Sequence, residues 1–282
     1  MKLMPDQLRI AYLGPEATFT HQAARHSFGR GARYVSAETI GDVFTMVKRG
    51  FAKKGVAPVE NSNEGVVTST LDLLVDSDLL ISGEIIIPIR LMLLTRETDL
   101  KEIRTVYSHP QALAQCGKWL QNNMWEAKVK DTRSTTEAVT LCAEMEKTAA
   151  VAGELASEIY DVPILVAGIE DWEENLTRFL VLSEERVPPT GDDKTSIVLT
   201  IKDRVGALYD ILRPFGDNGI NLTKIESRPS RKKAWDYLFF VDLEGHRDDP
   251  VLGDTLKKVQ EHCVEMKILG SYPKGNVIKV KS

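Results

Sequence analysis

The sequence of 282 residues contains only three cysteines, Cys116, Cys142 and Cys263. They lie far apart, are odd in number and form no CxxC pair. This spacing argues against a disulfide framework and against a structural zinc site, because both need cysteines in close or paired positions. The pattern is typical of a reducing compartment.

Long apolar runs are also missing. The most apolar stretch, 85–94, is interrupted by Pro88 and Arg90 and is too short to cross a bilayer. Residues 1–9 lack the apolar segment that a signal peptide needs. We therefore expect a cytoplasmic protein without a membrane partner.

Charge of one sign does not accumulate anywhere in the chain. The 36 basic and 41 acidic residues give a net charge of −5 and are mixed along the sequence, so nucleic acid is not an expected partner. The five histidines are scattered, and His21 and His26 are five apart, which does not place them on one helical face. Gly29 and Gly31 lack the third glycine of a dinucleotide or phosphate loop. We predict no metal and no cofactor.

Short apolar segments alternate with amphipathic segments over the first 186 residues. Strands are predicted at 10–13, 33–36, 55–59, 105–107, 127–129, 149–151 and 164–166, with a helix after all but the last. Strands separated by single helices indicate parallel sheets with helices on both faces. We interpret 79–94 as the crossing to a second lobe. The predicted domain, 8–186, thus has one lobe made of 8–78 with 168–186 and a second made of 79–167.

A second domain follows the linker 187–193, which is rich in proline and glycine. Residues 194–274 contain a strand–helix–strand pattern twice, which gives the order βαββαβ and predicts a ferredoxin-like module. Its open sheet edge and small core favour pairing with a second copy, as a homodimer or homotetramer. The fold class is therefore α/β, with a two-lobed domain and a small C-terminal βαββαβ domain.

Polar clusters follow three of the predicted strands, at 14–20, 60–65 and 108–111. In parallel sheets ligands bind beyond the carboxyl ends of the strands, at helix N-termini. Each cluster alone is explained by helix capping, with Pro110 suited to the first helical position. Together they favour an anion site in one cleft.

The stretch 175–179 adds a hydroxyl, a guanidinium and an aromatic ring at the mouth of a strand, in Thr177, Arg178 and Phe179. A guanidinium matches a carboxylate with two hydrogen bonds, a threonine hydroxyl can donate one, and a phenyl ring excludes water. A surface loop with turn residues would also explain these residues. Beside the three polar clusters, the trio suits a site for a small acid.

Four of these segments resemble the signature segments of prephenate dehydratase, and the resemblance covers nearly the whole chain in order. They are Gly-Pro-Glu-Ala-Thr-Phe-Thr at 14–20, Val-Glu-Asn-Ser-Asn-Glu-Gly at 59–65, His-Pro-Gln-Ala-Leu-Ala-Gln-Cys at 109–116 and Asn-Leu-Thr-Arg-Phe at 175–179. Gly-Ala-Leu at 206–208 and Ile-Glu-Ser-Arg-Pro at 225–229 resemble the ACT regulatory domain of the same enzymes. The resemblance implies a catalytic domain like a type II periplasmic binding protein, and a monofunctional form, since no chorismate mutase segment precedes Leu8.

The resemblance implies decarboxylating dehydration of prephenate to phenylpyruvate, in phenylalanine biosynthesis. Aromatisation drives this reaction, so no metal or redox cofactor is expected. Thr177 would donate a hydrogen bond to the leaving hydroxyl and Arg178 would hold a carboxylate. The other implied catalytic residues are Phe179, Asn61 and Ser62, and the implied substrate-binding residues are Thr18, Phe19, Glu60, Ser108, His109, Gln111 and Asn175.

The resemblance also implies inhibition by L-phenylalanine at the ACT domain. The implied effector site comprises Gly206, Ala207, Leu208, Asn221, Leu222, Glu226, Ser227 and Arg228. Without the resemblance, the glycine at 206 is explained by a plain turn.

Three residues depart from the family pattern: Ala17 replaces a glycine, Val205 replaces a proline, and Pro214 should end or kink the first ACT helix near 210–213.

Two other functions stay open. One is arogenate dehydratase, which performs the same elimination, and the other is a non-catalytic protein that senses small acids on the same scaffold.

Overall fold

The computed structural model describes residues 7–172, 174–202, 204–230 and 237–278. The first lobe is built on one sheet whose strands are β1 (Arg9–Leu13), β2 (Arg33–Ala37), β3 (Lys54–Asn61), β4 (Gly65–Val66), β5 (Leu80–Pro88) and β11 (Leu176–Ser183). The strand order is β2-β1-β3-β11-β5, and β4 pairs with β3. Three helices cover this sheet: α1 (Phe19–Phe28), α2 (Ile40–Lys48) and α3 (Thr68–Asp76).

The lobe boundary differs from the sequence prediction. The segment at 80–88 was assigned to the second lobe, but β5 pairs antiparallel with β11 along its whole length and belongs to the first sheet. The chain crosses to the second lobe only after Pro88. A pairing between strands 90 residues apart leaves no local trace in the sequence, and the boundary at residue 79 was therefore wrong.

The second lobe is a five-stranded sheet in which β6 (Met92–Thr95), β7 (Thr105–Ser108), β8 (Lys128–Asp131), β9 (Thr148–Ala152) and β10 (Ile164–Ala167) lie in the order β10-β6-β9-β7-β8. Its helices are α4 (Pro110–Gln115), α5 (Gly117–Asn123), α6 (Thr135–Glu144) and α7 (Glu154–Tyr160). The single helix predicted at 111–120 is divided at Cys116. The three cysteines are free and buried.

The C-terminal domain has the predicted βαββαβ order, with β12 (Asp193–Ile201), α8 (Ala207–Asp217), β13 (Leu222–Pro229), β14 (Tyr237–Glu244), α9 (Pro250–His262) and β15 (Cys263–Pro273). All neighbouring strands are antiparallel, in the order β13-β14-β12-β15. The prediction was that Pro214 ends or kinks the first helix near 210–213; the helix does not end there, because α8 continues through Pro214 to Asp217.

The two faces of the C-terminal sheet pack against different partners. One face packs on α8 and α9 through a cluster that includes Ile197 and Val241. The other face packs on the first lobe, where Val198 and Phe240 share a single apolar cluster with Leu74 and other residues of that lobe. The C-terminal domain is therefore joined to the first lobe by a continuous hydrophobic core. No helix in the described parts of the chain is long and apolar enough to cross a membrane.

Candidate active site

A cleft of about 370 Å³ lies between the two lobes. Residues from the first turns of α1, α4 and α6 line it, together with the start of β11. Helix N-termini carry partial positive charge, so three of them around one cleft favour a negatively charged ligand. The structure brings together seven predicted site residues in the lining of this cleft: Thr18, Phe19, Asn61, His109, Gln111, Thr177 and Phe179.

Thr177 is held in the cleft wall by an amide whose orientation is fixed. The Nδ2 of Asn61 donates to Thr177 Oγ1 at 2.8 Å, while Asn61 Oδ1 accepts from the backbone N–H groups of Asn63 and Glu64 at 3.0 and 3.1 Å. Because that oxygen is committed to two donors, the amide nitrogen must face Thr177. The Thr177 hydroxyl oxygen accepts this bond, and its own hydrogen is left to donate elsewhere.

A chain of side-chain amides extends from this pair across the cleft. Asn61 Nδ2 also donates to Asn175 Oδ1 at 2.7 Å, and Asn175 Nδ2 donates to Gln115 Oε1 at 3.2 Å. Gln115 Nε2 in turn donates to Glu64 Oε1 at 3.0 Å, and Gln111 donates to the same carboxylate. Glu64 thus links the two lobes at the mouth of the cleft. Asn175, which was predicted to bind substrate, stands behind Asn61 in this chain.

A buried histidine, His21, stabilises the loop after β1. Ala17 has φ 65°, a left-handed conformation that costs free energy for any residue with a Cβ. Its N–H donates to His21 Nδ1 at 3.1 Å, and the His21 ring stacks on Tyr12 with centroids 4.4 Å apart. Burial, with a smaller contribution from Arg25, lowers the pKa of His21 to about 4. The neutral ring accepts the Ala17 hydrogen bond and so fixes the loop that carries Thr18.

The sequence reasoning missed one polar cluster, which follows β8. Arg133, Ser134 and Thr135 line the cleft, and Ser134 caps α6 by accepting from Glu137 N at 3.0 Å. Arg133 is exposed and pairs with Glu137 at 3.1 Å. These residues follow a strand and open a helix, and the rule that identified the other three clusters would have identified this one. Arg133 is the guanidinium that the structure places at the cleft.

Like Asn175, three further predicted site residues lie outside the cleft wall. Ser62 Oγ accepts from Leu176 N at 3.0 Å and so fastens the loop after β3 to the start of β11. Ser108 is fully buried and donates to Val151 O at 2.5 Å. Glu60 faces the opposite side of the sheet, where it pairs with Lys224 at 2.7 Å. The structure therefore places Ser108 and Glu60 away from the cleft, while the contact of Ser62 with substrate stays a prediction.

The prediction that Arg178 holds a substrate carboxylate in the cleft is also corrected. Successive residues of a strand point to opposite faces of a sheet, so Arg178 points away from the side that carries Thr177 and Phe179. Its Nε lies 2.6 Å from Glu84 Oε2, and its Nη1 lies 2.6 Å from Asp242 Oδ2. All three groups sit between the first lobe and the C-terminal domain.

The predicted effector residues fall in two places. Gly206, with φ 80°, opens α8 as expected, near the end of β12. Leu222 aligns with Leu243, which aligns with Thr195 near the start of β12. Six residues of strand, about 20 Å, separate these positions within one chain.

The effector residues at the far end of β13 also differ from the prediction. Arg228, predicted to bind the effector, instead pairs with Asp72 of the first lobe at 2.8 Å. Glu226 lies on the same strand face as Arg228, while Ser227 points the other way and is exposed.

Comparison with known proteins gives two family models. The prephenate dehydratase model matches residues 10–187, and the ACT domain model matches residues 195–261. A bifunctional chorismate mutase/prephenate dehydratase of Aquifex aeolicus is 50% identical over 272 residues, which cover 96% of this chain and 75% of that protein.

Two solved structures share the whole architecture. The prephenate dehydratase of Arthrobacter aurescens in complex with L-Phe has a TM-score of 0.85 and 31% identity, covering 94% of this chain and 90% of that one. GqqA, described as a novel type of quorum quenching acylase, has a TM-score of 0.86 and 27% identity, covering 94% and 98%.

Proposed function

The chain belongs to the prephenate dehydratase family, and we propose that its interlobe cleft converts prephenate to phenylpyruvate, carbon dioxide and water. In this elimination the bond to the ring carboxylate breaks and its electron pair moves into the ring. The bond to the 4-hydroxyl then breaks, the oxygen leaves with the bonding electron pair, and a proton from solvent converts it to water. The ring becomes aromatic, which supplies the driving force.

The observation that carries this proposal is the direction of the Thr177 hydroxyl bond. Because Asn61 donates to Thr177 Oγ1 at 2.8 Å, the threonine hydrogen is available to a substrate oxygen in the cleft. A neutral hydroxyl is a weak acid, so Thr177 acts by hydrogen bonding to the leaving oxygen as negative charge develops there. Donors placed in advance at such a position account for much of the rate enhancement in many enzymes.

The substrate carries two carboxylates, and the cleft offers matching groups. The N-termini of the ten-residue helices α1 and α6 face it, and Arg133 lies at its edge. Each helix N-terminus stabilises an anion by roughly 0.3–1 kcal/mol near a surface and up to about 2 kcal/mol when partly buried. Phe19 and Phe179 cover the apolar side of the cleft, which excludes water and strengthens these interactions.

A single set of assays tests the proposal. Purified protein is given prephenate and, separately, arogenate, and the formation of phenylpyruvate or phenylalanine is followed. Phenylpyruvate formation from prephenate is the expected result. Turnover of arogenate alone would assign the chain to the related elimination, and hydrolysis of an acyl-amide with neither substrate consumed would overturn the proposal.

The ACT domain leads to a second proposal, that L-phenylalanine binds there and weakens substrate binding. The backbone N–H groups at the start of α8 suit an amino acid carboxylate. Asn221 lies about 20 Å away in the same chain, so we propose that it reaches the effector bound to a second copy, in a homodimer or homotetramer. Calorimetry should detect phenylalanine binding, and light scattering should give a mass above the 31.5 kDa of one chain.

A further inference from the structure

Arg178 lies on the rear of β11, directly behind the cleft-facing Thr177. Its guanidinium binds groups from both domains: Glu84 on β5 of the first lobe at 2.6 Å, and Asp242 on β14 of the ACT domain, also at 2.6 Å. Its Nη2 donates to the hydroxyl of Tyr272 on β15 at 3.0 Å. One side chain thus joins the strand that carries the proposed hydroxyl donor to two strands of the regulatory domain.

The groups around Arg178 form a closed and neutral network. Lys194 pairs with Glu84 at 2.9 Å, so two cations meet two anions, and Ser196 donates to Asp242 at 2.5 Å. The Glu84 side chain is fully buried, and that of Arg178 is 12% exposed. Buried charges of this kind are tolerated only while their partners stay in place, and removing one partner is strongly destabilising because it leaves the other charge uncompensated. The network therefore holds β11 at a defined position relative to the ACT sheet.

The strand β3, which pairs with β11, carries an extra residue at this point. The pairing of β11 with β3 shifts register between Arg178 and Phe179, so that Arg178 lies opposite Glu60 and Phe179 lies opposite Pro58. Bulges of this type redirect side chains and are frequent next to active sites. The strand β11 itself keeps regular pairing with β5 from Leu176 to Val181. Because Thr177 and Arg178 are adjacent on this regular strand, a displacement of Arg178 moves Thr177 with it.

We propose that Arg178 is a positioning residue that acts through β11, with Asp242 and Tyr272 of the ACT domain as its anchors, and that it does not contact the substrate. The inference rests on the proposed function only in using prephenate turnover as one of its two readouts. A displacement of about 1 Å at a reacting group can cost on the order of a hundredfold in rate. The ACT domain therefore takes part in setting kcat even without an effector.

Steady-state kinetics of three variants test this inference. Arg178→Lys keeps the positive charge and loses the several N–H donors of the planar guanidinium. Tyr272→Phe and Asp242→Asn alter the network only at residues of the ACT domain. A positioning role predicts that kcat falls by about tenfold or more in Arg178→Lys and by a few-fold in the other two, with KM within about twofold. Direct carboxylate binding predicts instead that Arg178→Lys raises KM at unchanged kcat, which would overturn the inference.

Amide hydrogen exchange of peptides from 176–183 provides a readout that does not depend on turnover. Exchange there should be faster by at least about threefold in Tyr272→Phe. The matched control is Lys267→Met, which breaks another contact between the domains, at the carbonyl groups of Leu74, Val75 and Ser77, without touching β11. The inference would be overturned if 176–183 exchanged in Tyr272→Phe at the rate seen in the unmodified protein. It would also be overturned if Lys267→Met accelerated this exchange as much as Tyr272→Phe does. Both outcomes can be read even if the protein does not turn over prephenate.

Discussion

Replacing Thr177 with valine removes the hydroxyl that the proposed mechanism requires while keeping the shape of the side chain. Thr177 is 8% exposed, and its oxygen receives one hydrogen bond, from Asn61. The Asn61 amide keeps its second acceptor, Asn175, in the variant. The structural cost is therefore that of one lost hydrogen bond, about 1 kcal/mol, or a fall in Tm of roughly 2–4 °C for a chain of this size.

The catalytic cost should be much larger than the structural cost. Donation to a leaving group is typically worth about 10²–10⁴-fold, equivalent to roughly 3–5 kcal/mol of activation free energy. We expect Thr177→Val to lower kcat by at least about a hundredfold with little change in KM, because the donated bond strengthens only as charge develops on the departing oxygen.

The assay is the formation of phenylpyruvate from prephenate under saturating substrate, with circular dichroism to confirm the fold. Thr177→Ser serves as the matched control, since it restores the hydroxyl and loses one methyl group, and it should retain more than about a tenth of the wild-type kcat. A valine variant within a few-fold of wild-type kcat, or a serine variant as slow as the valine variant, would refute the reasoning.

Three further predictions concern the cleft loop, substrate capture and domain docking. The pKa of His21 is lowered from 6.5 to about 4 in the folded chain, so its contribution to stability is complete above pH 6.5 and is lost as the pH falls towards 4. His21→Asn should remove this pH dependence, which amounts to up to about 3 kcal/mol of unfolding free energy between pH 6.5 and pH 4. Urea titration at several pH values measures it. Arg133→Ala should raise KM about tenfold at low salt with kcat nearly unchanged, and less at high salt, whereas Arg133→Lys should stay near wild type. A Cβ at Gly270 would clash with the backbone oxygen of Ile81, so Gly270→Ala should lower the stability by about 1–3 kcal/mol, as measured by thermal melting. Gly31→Ala, which meets open space among the described residues, should match wild type in the same thermal melt.

Much of the architecture follows from local sequence signals. The alternation of apolar strands with amphipathic helices predicts two parallel sheets, and the structure has parallel pairs β1–β2, β1–β3, β7–β8 and β7–β9. The polar residues that follow these strands also indicate the cleft. Antiparallel strands that return from distant parts of the chain, β5 and β11, carry no such local signal, because their pairing is decided by tertiary packing.

The error at Arg178 has a different origin. Once 176–183 is read as a strand, the period of two places Thr177 and Phe179 on one face and Arg178 on the other. Thr177, Arg178 and Phe179 are neighbours in the sequence, but their side chains cannot all enter one cleft because the middle one points to the opposite face of the sheet. The same rule separates Glu60 from Asn61. Arg133 has the opposite status, since it lies where a strand is followed by a capped helix, the local signal that also marks the other three polar clusters.

The apolar cluster shared by the first lobe and the ACT sheet has a consequence for experiments that divide the chain. Leu74 and Leu180 on one side meet Val198 and Tyr272 on the other, all of them nearly inaccessible to solvent. A protease cut within 187–192 should leave both fragments associated in solution. Expression of the first 186 residues alone should yield an insoluble polypeptide, since these apolar side chains of the first lobe would face water together with an Arg178–Glu84 pair that has lost Asp242 and Lys194. A C-terminal domain taken from another protein should therefore dock on this first lobe only if its sheet presents apolar side chains that match this cluster.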